Sequence, residues 1–146
     1  MRNHICHNSI VKAAGIFLLL LLVASEIYAQ VPSVTDGIPC TDPKTLSGQD
    51  LLMFGRLLSA VEDLGGGYSG EARGKYERIV HDLGKGQYSA CLRWMAYDGY
   101  GQSLIAAHKK QKAMTALAQA IDEAKALGDA QRLASQRHLQ FAEQMK

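Results

Sequence analysis

The chain is predicted to be all-α: an elongated antiparallel bundle of four to five helices, led by an extended N-terminal arm and stapled by one disulfide. Three observations predict this. Apolar residues recur at three- and four-residue steps in successive windows, the period of amphipathic helices. No window shows sustained two-residue alternation, so nothing reads as a half-buried strand. Glycines at Gly65 to Gly67, Gly84, Gly86 and Gly128 fall between the periodic windows, where helices are expected to stop.

The first 29 residues read as a secretory leader. Arg2 and Lys12 supply positive charge, "AAGIFLLLLLVA" (Ala13 to Ala24) is an unbroken apolar run, and Ala29 ends a stretch suited to cleavage. The apolar run is about half the roughly 20 residues a spanning helix needs. Cleavage at Ala29-Gln30, or at Ser25-Glu26 as the fallback, places the protein in the periplasm or outside the cell with no membrane contact thereafter. About 117 residues remain after Ala29, enough for one domain. Removing Arg2, Lys12 and Glu26 lowers the formal charge from +2 to about +1, which argues against nucleic acid or an anionic membrane as partner.

Export alters the cysteine arithmetic. Cys6 leaves with the leader, so Cys40 and Cys91 remain, and an even pair in an oxidising compartment predicts a disulfide between them. Closing so long a loop stabilises a fold by roughly 4 kcal/mol in the chain-entropy model. A metal centre would need a tighter cluster than His81, His108 and His138 provide, so no metal and no cofactor are expected.

Residues 30–42 form the arm, with Pro32 and Pro39 and no helical period; residues 43–146 form the helical domain. Asp42-Pro43 reads as a helix cap followed by proline at the first helical position. The first helix is expected over Pro43 to Leu64, with Leu51, Phe54, Leu58, Val61 and Leu64 as its apolar stripe. The second runs from Glu71 to Leu83 and turns Ala72, Tyr76, Ile79, Val80 and Leu83 inward. The third begins near Gln87 and carries Cys91, Trp94 and Met95 up to "DGYG" (Asp98 to Gly101), which either breaks or weakens it. A fourth stretch follows from about Gln102 to Leu127, striped by Met114, Leu117, Ile121 and Ala124. Gly128-Asp129 then starts the last helix, Ala130 to about Gln144, which offers Leu133, Ala134, Phe141 and Met145 to the core. These last two should form an antiparallel hairpin.

Motifs that carry chemistry are scarce. "GGGYSGEARGK" (Gly65 to Lys75) lacks the Lys-Ser/Thr ending and the preceding strand of a phosphate loop. His81-Asp82 and Glu62-Asp63 are sequence neighbours, which do not face each other on a helix. No nucleophile elbow or zinc-binding helix motif occurs, so no catalytic residue is assigned and the protein is read as a non-enzyme. The basic run "HKKQK" (His108 to Lys112) is either a solvated helix face or a docking patch. Tyr88, Trp94, Tyr97 and Tyr100 concentrate around Cys91; Trp94 is assigned to the core. Tyr97 and Tyr100, with nearby Lys109 and Lys110, are the candidate partner-binding residues, because aromatic anchors with a basic rim suit protein recognition.

Two segments carry a family resemblance. "GIPCTDPKTL" (Gly37 to Leu46) resembles the opening of minor pilus subunits of type IV (conjugative) secretion systems, with Gly37, Ile38, Pro39 and Asp42 at the matching places. Leu117 to Gln144 resembles that family's later helix–turn–helix, with Ile121, Asp122, Ala124 and Arg132 in position. The resemblance implies an exported helical protein that joins other secretion-system or pilus subunits and carries no catalytic residues. "SGQDLL" (Ser47 to Leu52) and "ACLRWMAYDGYGQSL" (Ala90 to Leu104) are similar instead to periplasmic immunity proteins, which neutralise type VI secretion effectors by binding them. Both readings make the protein a binder of another protein.

Overall fold

The computed structural model describes residues 41–46 and 48–146. The leader over residues 1–29, the arm up to Cys40 and the Cys40 side of the expected disulfide lie outside the described residues. Within them the chain is all-helical: a short 3-10 turn at Pro43–Thr45, then α1 (Gly48–Gly65), α2 (Ser69–Leu83), α3 (Ala90–Ala106), α4 (Lys110–Ala124) and α5 (Asp129–Gln144). Connections of three to six residues join these five helices into a bundle in which consecutive members pack on each other. Loops this short make antiparallel neighbours.

The Asp42-Pro43 signal caps a different element from the one expected. The Asp42 carboxylate accepts from the Lys44 backbone N–H at 2.9 Å, but it caps the 3-10 turn, and α1 starts only at Gly48. The stripe of α1 is also rotated from the expected one. Met53, Leu57 and Ala60 are its fully buried residues, Phe54, Val61 and Leu64 are partly buried, and Leu51 and Leu58 are exposed. On α2 the expected face holds: Ala72, Tyr76, Ile79 and Leu83 are buried and Val80 packs at their edge.

The centre of the fold is α3, which packs against each of the other four helices. It is buried on almost every side, including Leu92, Trp94, Ala96, Leu104 and Ile105 and several polar residues. An apolar side chain enclosed this fully contributes about 1.5–3 kcal/mol relative to leaving it in water. The helix runs unbroken through "DGYG". Gly99 and Gly101 are there for closeness. A Cβ at Gly99 would lie 2.3 Å from Cζ of Tyr76, and one at Gly101 would lie 2.5 Å from Cγ of Leu117. Each glycine weakens the helix by up to about 1 kcal/mol relative to alanine, and each admits a large side chain from a neighbouring helix.

The break falls instead at Ala107–Lys109, so the fourth helix begins eight residues later than expected. There His108 takes the left-handed conformation (φ 54°), and the Lys109 N–H reaches back to the Leu104 carbonyl at 2.9 Å. That six-to-one bond is the usual helix terminator, with histidine where glycine is more common. Beyond it, α4 buries a row of small residues, Ala113, Ala116, Ala120 and Ala124 around Leu117, while Met114 and Ile121 are only partly buried.

The α5 face departs most from expectation. Leu133 and Phe141 are exposed, and the helix buries Gln131, Ser135, His138 and Ala142 instead. The reason is a carboxylate on α3: Asp98 is 5% exposed, and a buried charge requires hydrogen-bonding partners. Ser135 and His138 supply them. Trp94 is buried beside this network, as expected for a core residue.

Candidate functional site

Gly99 and Gly101 bracket Tyr100 on α3, and this arrangement shapes the surface. Through Gly99 the α2 residue Tyr76 comes in close on one side; through Gly101 the α4 residue Leu117 does so on another. Helices α2 and α4 are thereby drawn onto α3 without packing substantially on each other. Between them lies an open groove of about 410 Å³. Tyr97, Tyr100 and Ala116 are its aromatic and apolar part, and Val80 of α2 lines it as well. From α4, Gln111, Lys112, Thr115 and Gln119 contribute amides, a hydroxyl and a single ammonium.

Tyr97 and Tyr100 are one turn apart and half-buried, so their rings are held by the core clusters they pack against while remaining reachable. Partial burial raises the Tyr100 phenol's pKa, the Glu77 carboxylate raises it further, and Arg73 offsets part of the effect. Tyr100 is therefore a neutral phenol, able to donate and to accept. A rigid aromatic platform beside exposed amide side chains is a surface for recognising peptide, with ring contact for affinity and amides for backbone hydrogen bonds.

The two lysines paired with these tyrosines in the sequence reading are placed elsewhere. Lys110 donates from Nζ to the backbone carbonyls of Glu143 (2.8 Å) and Met145 (2.7 Å), so its charge binds the carbonyl end of α5. That is a favoured position for a cation. Lys109 is exposed at the boundary before α4, and neither lysine lines the groove. The basic residue that does so is Lys112, from the same "HKKQK" run.

Sequence reading missed a cluster of titratable groups in the core. The Ser135 hydroxyl donates to Oδ1 of Asp98 at 2.6 Å, and Nδ1 of His138 lies 3.1 Å from the same oxygen. Gln102 Nε2 donates to Oδ2 at 2.8 Å, and Trp94 Nε1 donates to the Ser135 hydroxyl at 2.9 Å. Serine, histidine and aspartate thus meet, but in the wrong order for nucleophilic catalysis. A catalytic histidine stands between serine and carboxylate to take the hydroxyl proton. Here the carboxylate stands between the other two, and all three residues are buried. The cluster is a structural joint between α3 and α5. Its spacing was visible in principle, since Gln131, Ser135, His138 and Ala142 lie at steps of four, three and four.

The other motifs resolve as local structure. Lys75 of the glycine-rich stretch bonds Asp63 at 2.7 Å and the Ser59 hydroxyl at 2.8 Å, closing α2 onto α1. His81 and Asp82 do touch, at 3.4 Å, contrary to the expectation for helix neighbours. Asp82 is held chiefly by Arg56 (2.9 Å) and Lys85 (3.2 Å), and those bonds lower its pKa to about 2. Among the described residues no group of three metal-binding side chains converges, and no helix is long and apolar enough to cross a membrane. No family model, curated protein or solved structure matches the chain.

Proposed function

We propose that this protein is an exported, non-enzymatic interaction protein that binds another protein through the groove over Tyr97 and Tyr100. The observation that carries the reading is the groove itself: two tyrosines seated on a continuous, fully packed helix, with a row of polar side chains from α4 beside them. Such aromatic anchors dominate binding energy where they are held rigidly. The buried Asp98 cluster lacks both the access and the order of bonds that catalysis needs, which supports binding over chemistry.

Secretion across the inner membrane and a Cys40–Cys91 disulfide belong to the same proposal. Cys91 sits near the start of α3 and is 4% exposed, a suitable anchor for the chain that enters at Thr41. The partner class follows the resemblance of "GIPCTDPKTL" and of the α4–α5 hairpin: a subunit of a type IV secretion or conjugation apparatus. A type VI effector is the alternative outcome of the same experiment.

The test is affinity capture from periplasmic extract, with captured proteins identified by mass spectrometry, using wild type and Tyr97→Ala/Tyr100→Ala. Both rings are half-buried, so circular dichroism and thermal melting must accompany it. A folded double variant that loses the captured partner supports the groove. A folded variant that captures the same protein as before places the surface elsewhere.

A further inference from the structure

We infer that the groove takes an acidic polyproline II segment of a partner protein, with one carboxylate side chain on Lys112 and an apolar side chain three positions away on Tyr97. The inference deepens the groove reading and rests on it. Charge is the first ground. Lys75, Lys85 and Lys125 are each held by a carboxylate, and Lys110 by two backbone carbonyls. Lys112 is exposed and has no such partner among the described residues. It stands in the first turn of α4, which holds no acidic residue and has no side-chain cap. The positive end of the helix dipole therefore adds to the ammonium instead of being offset. On the other wall, Glu77 and Arg73 of α2 act on the Tyr100 phenol in opposite directions. With those two opposed, the Lys112 charge is left uncompensated, and a carboxylate is its natural partner. A phosphate backbone would need cations along its whole length, and the groove lining supplies one.

The second ground is that the groove has a direction. Tyr100 packs with Ala113, Ala116 and Leu117 in the first half of α4, whereas Tyr97 packs with Ala120 and Ala124 in the second. Tyr100 thus marks the Lys112 end, and Tyr97 marks the end reached by Gln119. Because α2 runs antiparallel to α3, Val80, beyond Glu77, lies on the Tyr97 side. One end is cationic and the other apolar.

The third is spacing. Lys112 to Gln119 covers about 10 Å of helix. Polyproline II advances about 9 Å over three residues and repeats every three, so residues i and i+3 share a face at nearly that separation. In a β-strand those two side chains would point to opposite faces. Polyproline II also leaves its backbone groups unbonded. The Gln111 amide and the phenols of Tyr97 and Tyr100 make no hydrogen bond among the described residues, so they are available to that backbone. Aromatic grooves take such segments because little conformational entropy is lost on docking.

Panning a random peptide library on the intact chain tests this, with circular dichroism as the fold control. Recovered sequences should share Asp or Glu three positions from Leu, Ile, Val or Pro. In fluorescence anisotropy, a recovered peptide should bind Lys112→Glu about tenfold more weakly than wild type. Panning on Lys112→Glu should in turn recover Lys or Arg at the acidic position. A library that yields no shared acidic position, or an acidic preference that survives Lys112→Glu, overturns the inference. So does displacement of the peptide by single-stranded oligothymidine at equal affinity, which would mean that the tyrosines stack bases. The Tyr97→Ala/Tyr100→Ala variant separates this failure from that of the groove reading. If the acidic preference fails while the folded double variant still loses its captured partner, the groove binds a protein of other chemistry and only the acidic assignment is wrong. If the double variant captures normally, the groove reading falls as well.

Discussion

Trp94 and Asp98, one turn apart on α3, meet on the same Ser135 hydroxyl, at 2.9 and 2.6 Å. The hydroxyl accepts from the indole and donates to the carboxylate, so one side chain of α5 satisfies two buried groups of the central helix. His138 adds a second α5 contact to the carboxylate one turn further on. Aromatic packing and polar bonding thereby set the same register between α3 and α5.

Ser135→Ala should destabilise the fold by about 2 kcal/mol, since it leaves a buried indole N–H and one carboxylate oxygen short of a partner. Asp98→Asn should lose about 3 kcal/mol, because its amide N–H groups would face donors where the carboxylate accepts. Urea denaturation measures both. A double cycle with Trp94→Phe should show coupling of about 1 kcal/mol with Ser135→Ala. Independent, additive losses would mean the shared hydroxyl is incidental.

Gly99→Ala should destabilise by about 3 kcal/mol, because the added methyl would overlap the ring of Tyr76, which is wholly buried. The same ring predicts a change of opposite sign. The Tyr76 hydroxyl is buried without a hydrogen-bond partner, and its ionisation is pushed far up by burial and then by the nearby Asp98 charge. Tyr76→Phe should therefore raise stability by about 1 kcal/mol. A Gly99→Ala variant with an unchanged melting temperature would refute the close-approach account of "DGYG".

Asp82 makes acid stability measurable. Its carboxyl is held at about 2 against an ordinary 3.8, first by the Arg56 bond and then by Lys85. A depressed carboxyl contributes stability in full above the ordinary value and loses it as pH falls through the depressed one. Denaturation curves between pH 5 and pH 2 should therefore lose stability more steeply in wild type than in Asp82→Asn. Equal slopes would show that the Arg56–Asp82–Lys85 cluster contributes nothing to folding.

The parts of the fold legible in sequence were those governed by local spacing. The α2 face Ala72–Tyr76–Ile79–Leu83 was read correctly because all of its buried members are apolar or aromatic and repeat at helical steps. Tyr97 and Tyr100, singled out by aromatic density in one short stretch, line one groove. Lys109 and Lys110 do not line it, since adjacency in sequence puts them near Tyr100 whereas the α3–α4 break turns Lys110 toward the end of α5.

By itself, then, the sequence determined the all-helical class, the helical stretches other than the start of α1 and the α3–α4 boundary, and an approximate inward face for α2. These follow from residue-by-residue propensity and a 3.6-residue period, which need no knowledge of neighbours. Tertiary structure alone decided which face of α1 turns inward, that α5 buries serine and histidine while exposing Leu133 and Phe141, and that Gly99 and Gly101 continue a helix. Each of those outcomes depends on a partner distant in the chain. A buried carboxylate selects polar neighbours, and a large ring selects a glycine to lie against; neither demand shows as an apolar stripe in its own segment.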